Sequence, residues 1–274
     1  MMMKTIFITG ASTGIGRATV KYFAERGWNV AATMRSPEQE TEFTAMDNVL
    51  VLRLDVEQKD TIESAVTEAV QRFGRIDVLL NNAGYGTMGL IEAASEEQIR
   101  RQFEVNVFGL IRMTKAMLPH FRSNQEGLLI NISSMGGIVT FPTMSLYHAS
   151  KFAVEGFSES VSYELASQNI KVKLIEPGAI QTDFGKRSME FFFDDGLIDY
   201  KSFTTAFRSK LGEMEQLSSY ASPAELVAET IYQAATDGTP KFRYVVGEDA
   251  KMLIQMKEIT PDEEYLANIR QHFA

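Results

Sequence analysis

Strand-like and helix-like segments alternate along the chain, and this alternation limits the possible folds more than any other feature. Short apolar runs predict strands, and helical patterns stand between most of them. Such alternation is typical of a parallel sheet covered by helices on both faces. We therefore predict an α/β fold with a doubly wound parallel sheet of about seven strands, in one domain over residues 1–274. The predicted strands are Lys4–Thr9, Asn29–Met34, Val49–Asp55, Val78–Asn81, Leu128–Ile132, Lys171–Glu176 and Phe242–Val246.

Capping signals and periodicity predict the helices. Ser95-Glu96-Glu97-Gln98 is a capping box, and we expect the helix that it opens to end near Pro119. Gly27 follows the first helix as a stop signal. The other predicted helices run to about Arg26, over about Asp60–Phe73, from about Met144 to Ser167, and after Ser222-Pro223.

Composition argues against several functions. The net charge is −9 without a basic run, so no nucleic acid is expected as a partner. The chain has no cysteine, which excludes thiol catalysis and zinc–thiolate sites and fits a reducing compartment such as the cytoplasm. Its three histidines lack ligand-like spacing, so no metal is expected. No apolar run approaches 18 residues, and the start lacks a signal-peptide pattern, so we predict no membrane span.

Tyr147 and Lys151 carry the strongest chemical signal. They lie four residues apart on a predicted helix and therefore share a face. An ammonium beside a phenol favours the phenolate, which predicts a lowered pKa for Tyr147 and a usable proton donor or acceptor. The alternative for Lys151 is an ordinary surface lysine.

A glycine-rich loop follows the first predicted strand and precedes a helix. Gly10, Gly14 and Gly16 would let the backbone approach a pyrophosphate at a helix N-terminus. The alternative is a set of turn and cap residues. Asn81-Asn82-Ala83-Gly84 ends the fourth strand, which should flank the first at the switch point of the sheet, although Asn and Gly also favour simple turns.

With Asn106, Ser134 and Pro177–Thr182, these motifs resemble the short-chain dehydrogenase/reductase family. The resemblance covers about residues 4–184 in the family's order and spacing, and it extends to the branch with hydroxysteroid and retinol dehydrogenases. It implies a Rossmann-type sheet, a nicotinamide cofactor, a carbonyl or alcohol substrate, and a homodimer or homotetramer. Ala149, Ala153 and Gly156 are small residues that would let a second helix approach.

The resemblance also implies roles for single residues. Tyr147 is the acid/base, Lys151 binds the nicotinamide ribose, and Ser134 polarises the substrate oxygen. Asn106 holds a water in a proton relay to Lys151. The implied cofactor contacts are Gly10, Ser12, Gly14, Ile15 and Gly16 along the dinucleotide, Asp55 and Val56 at the adenine, Asn82, Ala83 and Gly84 along the adenosine, and Pro177, Gly178, Ile180 and Thr182 at the carboxamide.

Asn106 has a second interpretation that rests on the residues alone. It falls on an apolar helical stripe with Ile99, Phe103 and Leu110, so its amide should be buried. A buried amide must find partners, and a core asparagine bonded to backbone would satisfy this. The water-binding interpretation instead expects a local distortion of the helix.

The end of the second strand predicts the cofactor type. Met34 occupies the place where NAD enzymes usually carry a carboxylate, and Arg35 next to it can bind a 2′-phosphate. We therefore predict NADP(H), with NAD as the alternative. Thr13 departs from the pattern, because many NADP-preferring relatives carry a basic residue there. Arg35 can also be an ordinary solvated arginine.

The segment from about 185 to 219 is predicted to be a lid over the substrate. It is rich in aromatic residues, including Phe191–Phe193, and has weak periodicity, so we expect short mobile helices. Such a lid suggests an apolar, fairly bulky substrate. The alternative is that the aromatics only pack the segment onto the body or build an oligomer contact. Further candidates for the pocket wall are Tyr85, Met88, Phe141 and Met144.

The sequence therefore favours an NADP(H)-linked carbonyl reductase or alcohol dehydrogenase. Two alternatives stay open: an NAD-dependent alcohol dehydrogenase of the same fold, and a non-catalytic module that senses nucleotides. An extended epimerase or dehydratase fits less well, because it would need another glycine spacing and a larger C-terminal lobe.

Overall fold

The computed structural model describes residues 3–216 and 221–273. Its centre is a sheet of seven parallel strands. The strands of the described residues are β1 (Thr5–Ile8), β2 (Asn29–Met34), β3 (Val49–Arg53), β4 (Val78–Asn81), β5 (Gly86–Gly89), β6 (Gly127–Ile132), β7 (Ile170–Pro177), β8 (Ile180–Gln181), β9 (Met189–Phe192), β10 (Ser222–Pro223) and β11 (Arg243–Val246). The order across the main sheet is β11-β7-β6-β4-β1-β2-β3, so β4 and β2 flank β1 and the chain reverses direction across the sheet beside β1. The predicted fold class and the predicted switch point between β1 and β4 are confirmed.

Helices cover both faces of this sheet. They are α1 (Gly14–Ala24), α2 (Lys59–Phe73), α3 (Glu96–Phe103), α4 (Leu110–Ser123), α5 (Ser145–Ala166), α6 (Phe184–Arg187), α7 (Lys201–Gln216), α8 (Ala224–Thr236), α9 (Glu248–Ile259) and α10 (Asp262–Phe273). Within the described part of the chain, none of them is long and apolar enough to cross a membrane.

The side chains of β1 alternate between two separate hydrophobic cores, one on each face of the sheet. Ile6 and Ile8 pack on one face with residues of α1 and α8, such as Phe23 and Ile231. Phe7 points to the other face and packs with residues of α2, α4 and α5. Because strand side chains alternate, a strand buried on both faces must be apolar at every position, as β1 is.

The helix that opens at the capping box of Ser95 extends further than predicted. It runs through α3, a π-helical segment over Glu104–Gly109, and α4, which ends at Ser123 rather than near Pro119. A proline removes one backbone donor but does not always end a helix. Phe121 lies in the core beyond Pro119, and its burial stabilises the last turn.

The segment predicted as a lid has more regular structure than expected. It contains α6, then β9, which pairs in parallel with β5, and then the sixteen-residue helix α7. The expectation of only short helices is therefore wrong for this part. The end of the predicted lid, residues 217–219, lies outside the described residues.

Candidate active site

The loop between β1 and α1 needs its glycines for space. Gly10 has φ +67°, and a Cβ there would lie 2.9 Å from the Cα of Ala83. A Cβ on Gly16 would lie 2.3 Å from the carbonyl oxygen of Gly10. Both distances are too short for any side chain, so the loop can pass beside the end of β4 only with glycine at these positions.

Asn82 holds this loop in place. Its side-chain amide donates to the carbonyls of Thr9 and Gly10 at 2.9 and 3.0 Å. The Thr9 hydroxyl accepts from the backbone N–H groups of Asn82 and Ala83 in return. The Asn82 side chain therefore fixes the conformation of the glycine loop. This is a more specific role than that of a simple turn residue, the alternative that the sequence left open.

A cavity of about 510 Å³ opens at the carboxyl edge of the sheet and brings most predicted site residues together. Gly16 and Asn106 lie behind its wall instead of lining it. The predicted residues that line it are Gly10, Ser12, Gly14, Ile15, Arg35, Asp55, Val56, Asn82, Ala83, Gly84, Ser134, Tyr147, Lys151, Pro177, Gly178, Ile180 and Thr182.

Tyr147 and Lys151 project from α5 into the middle of this cavity. The Lys151 ammonium is buried, donates to the carbonyl of Ile132 at 2.9 Å, and lies 5.8 Å from the centroid of the Tyr147 ring. Burial lowers the pKa of Lys151 to about 8, although the charge of Glu155 opposes this change. An amine with this pKa is still largely charged at neutral pH.

The Tyr147 phenol differs from the sequence-based expectation. Burial raises the pKa of Tyr147, and a hydrogen bond with Ser134 only partly opposes this effect. The predicted lowering by Lys151 is therefore wrong for the protein alone, because desolvation of the phenolate is the dominant effect. The arrangement keeps Tyr147 protonated, which suits a proton donor.

Ser134 begins a tight turn after β6. Its hydroxyl accepts from the backbone N–H of Gly136 at 3.0 Å and faces the carbonyl of Pro177 at 3.5 Å. The second distance is long for a hydrogen bond between an O–H and a carbonyl, and the hydroxyl also hydrogen-bonds the Tyr147 phenol. Ser133 is buried.

Asn106 lies in the π-helical segment, so the expected distortion of the helix is present. Its amide oxygen accepts from the backbone N–H of Tyr85, and its amide nitrogen donates to the carbonyl of Tyr85, both at 2.8 Å. It also donates to the hydroxyl of Ser150. These contacts match a satisfied core asparagine, the alternative left open by the sequence. The water relay stays a prediction.

Two arginines lie at the end of the cavity that adjoins β2. Arg35 follows β2 and Arg187 ends α6, and both line a smaller adjoining cavity of about 330 Å³ with Ser12 and Ser36. Neither guanidinium forms an ion pair within residues 3–216 and 221–273. Arg17 also lines it, but Glu40 and Glu42 already bind this side chain at 2.6 and 2.5 Å.

Sequence reasoning missed Arg187 because nothing in its local pattern distinguishes it from other surface arginines. It also missed His148. The buried imidazole accepts from the backbone N–H of Phe141 at Nε2 and donates from Nδ1 to the carbonyl of Gly136, both at 2.9 Å. This neutral tautomer joins two loops of the cavity wall, and burial lowers the pKa of His148.

Apolar side chains form the remaining wall beside Tyr147. Of the predicted candidates, Tyr85, Phe141 and Met144 line the cavity, and the lid adds Phe184, whose ring centroid lies 6.2 Å from that of Tyr147. Met88 instead packs into a buried cluster with Phe207 and Phe273.

Phe191–Phe193 do not line the cavity in this conformation. Phe191 is 53% exposed, Phe192 is buried, and Phe193 packs against the cluster of Phe207. The neighbouring Phe184 and Met189 do line the cavity. The prediction that closure presents this segment to the substrate therefore rests on these two neighbours and stays a prediction.

Glu190 of β9 connects the segment predicted as a lid to the rest of the protein through side-chain contacts. Its carboxylate accepts from the side-chain amide of Gln98 at 2.7 Å and from the hydroxyl of Tyr85. Arg101 lies 3.8 Å away and stacks 4.7 Å from the centroid of the Tyr85 ring. We call these four residues the lid latch. Burial raises the pKa of Tyr85 to about 12, and Glu190 adds to this effect while Arg101 opposes it.

Residues 4–191 match the family model for short chain dehydrogenases. A 3-ketodihydrosphingosine reductase of Bacteroides thetaiotaomicron is 41% identical over 184 residues, which cover 67% of this chain and 66% of that protein.

Solved structures give the same assignment over nearly the whole length. A short-chain dehydrogenase from Streptomyces avermitilis superposes with a TM-score of 0.82 at 32% identity, covering 98% of this chain and 96% of that one. The structure of ElxO with NADP bound superposes with a TM-score of 0.72 at 26% identity, covering 89% and 98%. The chain therefore belongs to the short-chain dehydrogenase family of oxidoreductases.

Proposed function

We propose that this protein is an NADP(H)-dependent oxidoreductase that transfers hydride between the nicotinamide and a carbonyl or secondary alcohol, with residues 1–274 as one catalytic domain. The observation that carries the proposal is the juxtaposition of Ser134, Tyr147 and buried Lys151 in one cavity beside the glycine loop. The cofactor, when bound, supplies or accepts the hydride.

Each catalytic side chain has a distinct part in the proposed reaction. Tyr147, which its raised pKa keeps protonated, donates its phenolic proton to the substrate oxygen during reduction. The Ser134 hydroxyl donates to that oxygen and stabilises it as it gains negative charge. Lys151 holds the nicotinamide ribose and stabilises the phenolate left on Tyr147.

The glycine loop and the start of α1 fit a dinucleotide. The N-terminus of α1 faces the cavity, and its backbone N–H groups and dipole favour an anion there. Ser12, Gly14 and Ile15 would lie along the pyrophosphate. Asp55 and Val56 would contact the adenine, and Pro177 through Thr182 the carboxamide.

We propose NADP(H) rather than NAD(H) because of the charges that surround the adenosine end of the cavity. Arg35 and Arg187 line the adenosine end without carboxylate partners in the described chain, and Met34 supplies no carboxylate that would repel a 2′-phosphate. ElxO, which binds NADP, is similar in fold. Glu40 lies in the same smaller cavity, but Arg17 neutralises it. An NAD-dependent enzyme of the same fold is the competing proposal.

The substrate is proposed to be apolar and fairly bulky, as for a carbonyl reductase of this family. Tyr85, Phe141, Met144, Phe184 and Met189 surround the space beside Tyr147. A relative that is a reductase of 3-ketodihydrosphingosine, a keto compound, supports this class.

We further propose a homodimer or homotetramer in the cytoplasm. One exposed stripe of α5 carries Ala149, Phe152, Gly156 and Tyr163, so small residues alternate with aromatic rings along it. Exposed aromatics beside small residues are suited to close contact with a second helix.

Hydride transfer can be tested with a panel of apolar ketones, aldehydes and alcohols, each with NADPH or NADP and with NADH or NAD. Absorbance of the reduced nicotinamide gives the rate. We expect turnover with at least one bulky carbonyl and a preference for the phosphorylated cofactor. Binding of either cofactor without turnover of any compound would instead favour the nucleotide-sensing module.

A further inference from the structure

Two buried carboxylates lie beneath the active site against one arginine. Glu155 follows Lys151 by one turn of α5, and Glu176 ends the apolar run of β7. Oε2 of Glu155 and Oε1 of Glu176 each lie 3.2 Å from Nε of Arg243, which comes from β11. Glu176 has 0% exposure and Glu155 7%. We call these three residues the carboxylate cluster.

The carboxylate cluster is short of partners. Both oxygens of Glu176 make no hydrogen bond, although Arg243 lies within ion-pair distance, and Glu155 has only the buried Ser133 hydroxyl and Arg243 as close polar partners among the described residues. Arg243 also binds Glu159 at the surface and is 40% exposed, so its charge is shared and partly screened. Arg243 therefore shares its charge among three carboxylates, those of Glu155, Glu159 and Glu176. A buried carboxylate whose charge is not fully compensated destabilises the folded state.

Lys151 is the other cation that faces Glu155. They stand four residues apart on α5, which places them on one helix face, and both are buried. The remaining charged groups around the cluster are Glu159 on α5, Glu176 on β7, Arg243 on β11 and Glu258 of α9, which acts on Glu176. The ionised form of Glu155 is therefore stabilised by the charges of Lys151 and Arg243 and destabilised by the competing carboxylate of Glu176.

We propose that Glu155 is a positioning residue that holds Lys151 in its charged form, and that Glu176 and Arg243 set how strongly it does so. The proposal deepens the proposed function and rests on it for the catalytic use of the Lys151 charge. Burial raises the pKa of Glu155 and raises that of Glu176 to about 8, so the two carboxylates compete to be ionised. Glu155 opposes the loss of the Lys151 proton.

The charge of Lys151 can be measured without any substrate. Lysine labelled with carbon-13 at the ε carbon reports each ammonium by NMR, and Lys151→Met identifies the Lys151 signal. We expect Glu155→Gln to lower the midpoint of this titration by about one pH unit from its parent value near 8. An unchanged midpoint in folded Glu155→Gln would overturn the proposal, whether or not a substrate has been found.

Glu176→Gln keeps the proposal testable if Glu155→Gln fails to fold. It removes the like charge that competes with Glu155, so the Lys151 midpoint should rise. An unchanged or lower midpoint would contradict the proposed arrangement. Glu155→Asp retains the carboxylate and should restore most of the parent midpoint.

Turnover against pH separates this inference from the proposed function. In Glu155→Gln, turnover at pH 8 should fall several-fold relative to the parent while turnover at pH 6.5 stays near the parent, because only the higher pH removes the Lys151 proton. A uniform loss at both pH values would indicate a merely structural role and overturn the proposal. A shifted NMR midpoint with an unshifted turnover profile would support the control of charge by Glu155 and contradict the catalytic use of that charge.

Discussion

The Lys151 ammonium donates a 2.9 Å hydrogen bond to the carbonyl oxygen of Ile132, the last residue of β6. This bond joins the catalytic helix α5 to the carboxyl edge of the central sheet. It orients the ammonium toward the cavity, 5.8 Å from the centroid of the Tyr147 ring. The proposed chemistry therefore depends on a backbone contact that sequence spacing could not reveal.

Arg35→Ala should weaken NADPH binding more than NADH binding, because only NADPH carries the 2′-phosphate. The expected loss is about 1–3 kcal/mol for a charge-assisted contact. Arg187→Ala should act in the same direction, since its side chain lines the same cavity. Calorimetry with both cofactors measures the difference, and Arg122→Ala on α4 is the control. Equal weakening of the two cofactors would refute the assignment of Arg35.

Glu176→Gln should stabilise the protein increasingly as pH rises. Burial raises the pKa of Glu176 to about 8 from an ordinary value of 4.5. Between these values the folded state binds more protons than the unfolded state, so the parent loses stability with rising pH. Glutamine does not ionise, so the variant avoids this loss of stability. Its Tm at pH 8.5 should be about 2–4 °C higher than that of the parent.

The same substitution should have little effect on Tm at pH 5, where the parent Glu176 is already protonated. Glu159→Gln is the control, because Glu159 is exposed and contacts the same Arg243. A gain for Glu176→Gln that is as large at pH 5 as at pH 8.5 would contradict the raised pKa.

Limited proteolysis should distinguish the attached from the exposed parts of the lid. We expect cleavage of the parent near 193–200 before cleavage of β9, which is paired with β5. Glu190→Gln weakens the lid latch and should speed cleavage over 185–200, whereas Asp195→Asn, a change at an exposed carboxylate, should not. NADPH with substrate should slow cleavage. If this segment resists the protease equally in all these states while other loops are cut, it is rigid and does not act as a lid.

Gly156→Glu should convert the proposed oligomer to a monomer. A Cβ at Gly156 meets no atom within 4 Å, so the substitution fits the isolated chain, but it places a charge on the stripe of α5 proposed as the contact. Light scattering should show a particle of 30.7 kDa for this variant and a multiple of it for the parent and for Leu226→Glu on α8. A parent that is already monomeric would contradict the proposed assembly.

The sequence predicted well what depends on local pattern. Strands such as Val78–Asn81 agree with the structure because a buried parallel strand is a continuous apolar run. The fold class and the switch point followed from that alternation. Strands β5 and β9 were missed, because they are two short segments whose pairing joins residues about a hundred positions apart.

Properties that depend on burial were predicted less well. Spacing placed Tyr147 beside Lys151, but the direction of the Tyr147 pKa follows from desolvation by residues far apart in the chain. The polar character of Asn106 signalled an important position, yet only the structure shows that both ends of its amide bind Tyr85. Arg187 and the carboxylate cluster carry no local signature at all.

Turnover by Tyr147→Phe tests the central claim most directly. The substitution removes only the phenolic oxygen, so folding and NADPH binding should stay close to those of the parent. With NADPH and a carbonyl that the parent reduces, we predict that kcat falls by at least two orders of magnitude, as expected for loss of the general acid. A kcat within a few-fold of the parent would exclude Tyr147 as the proton donor.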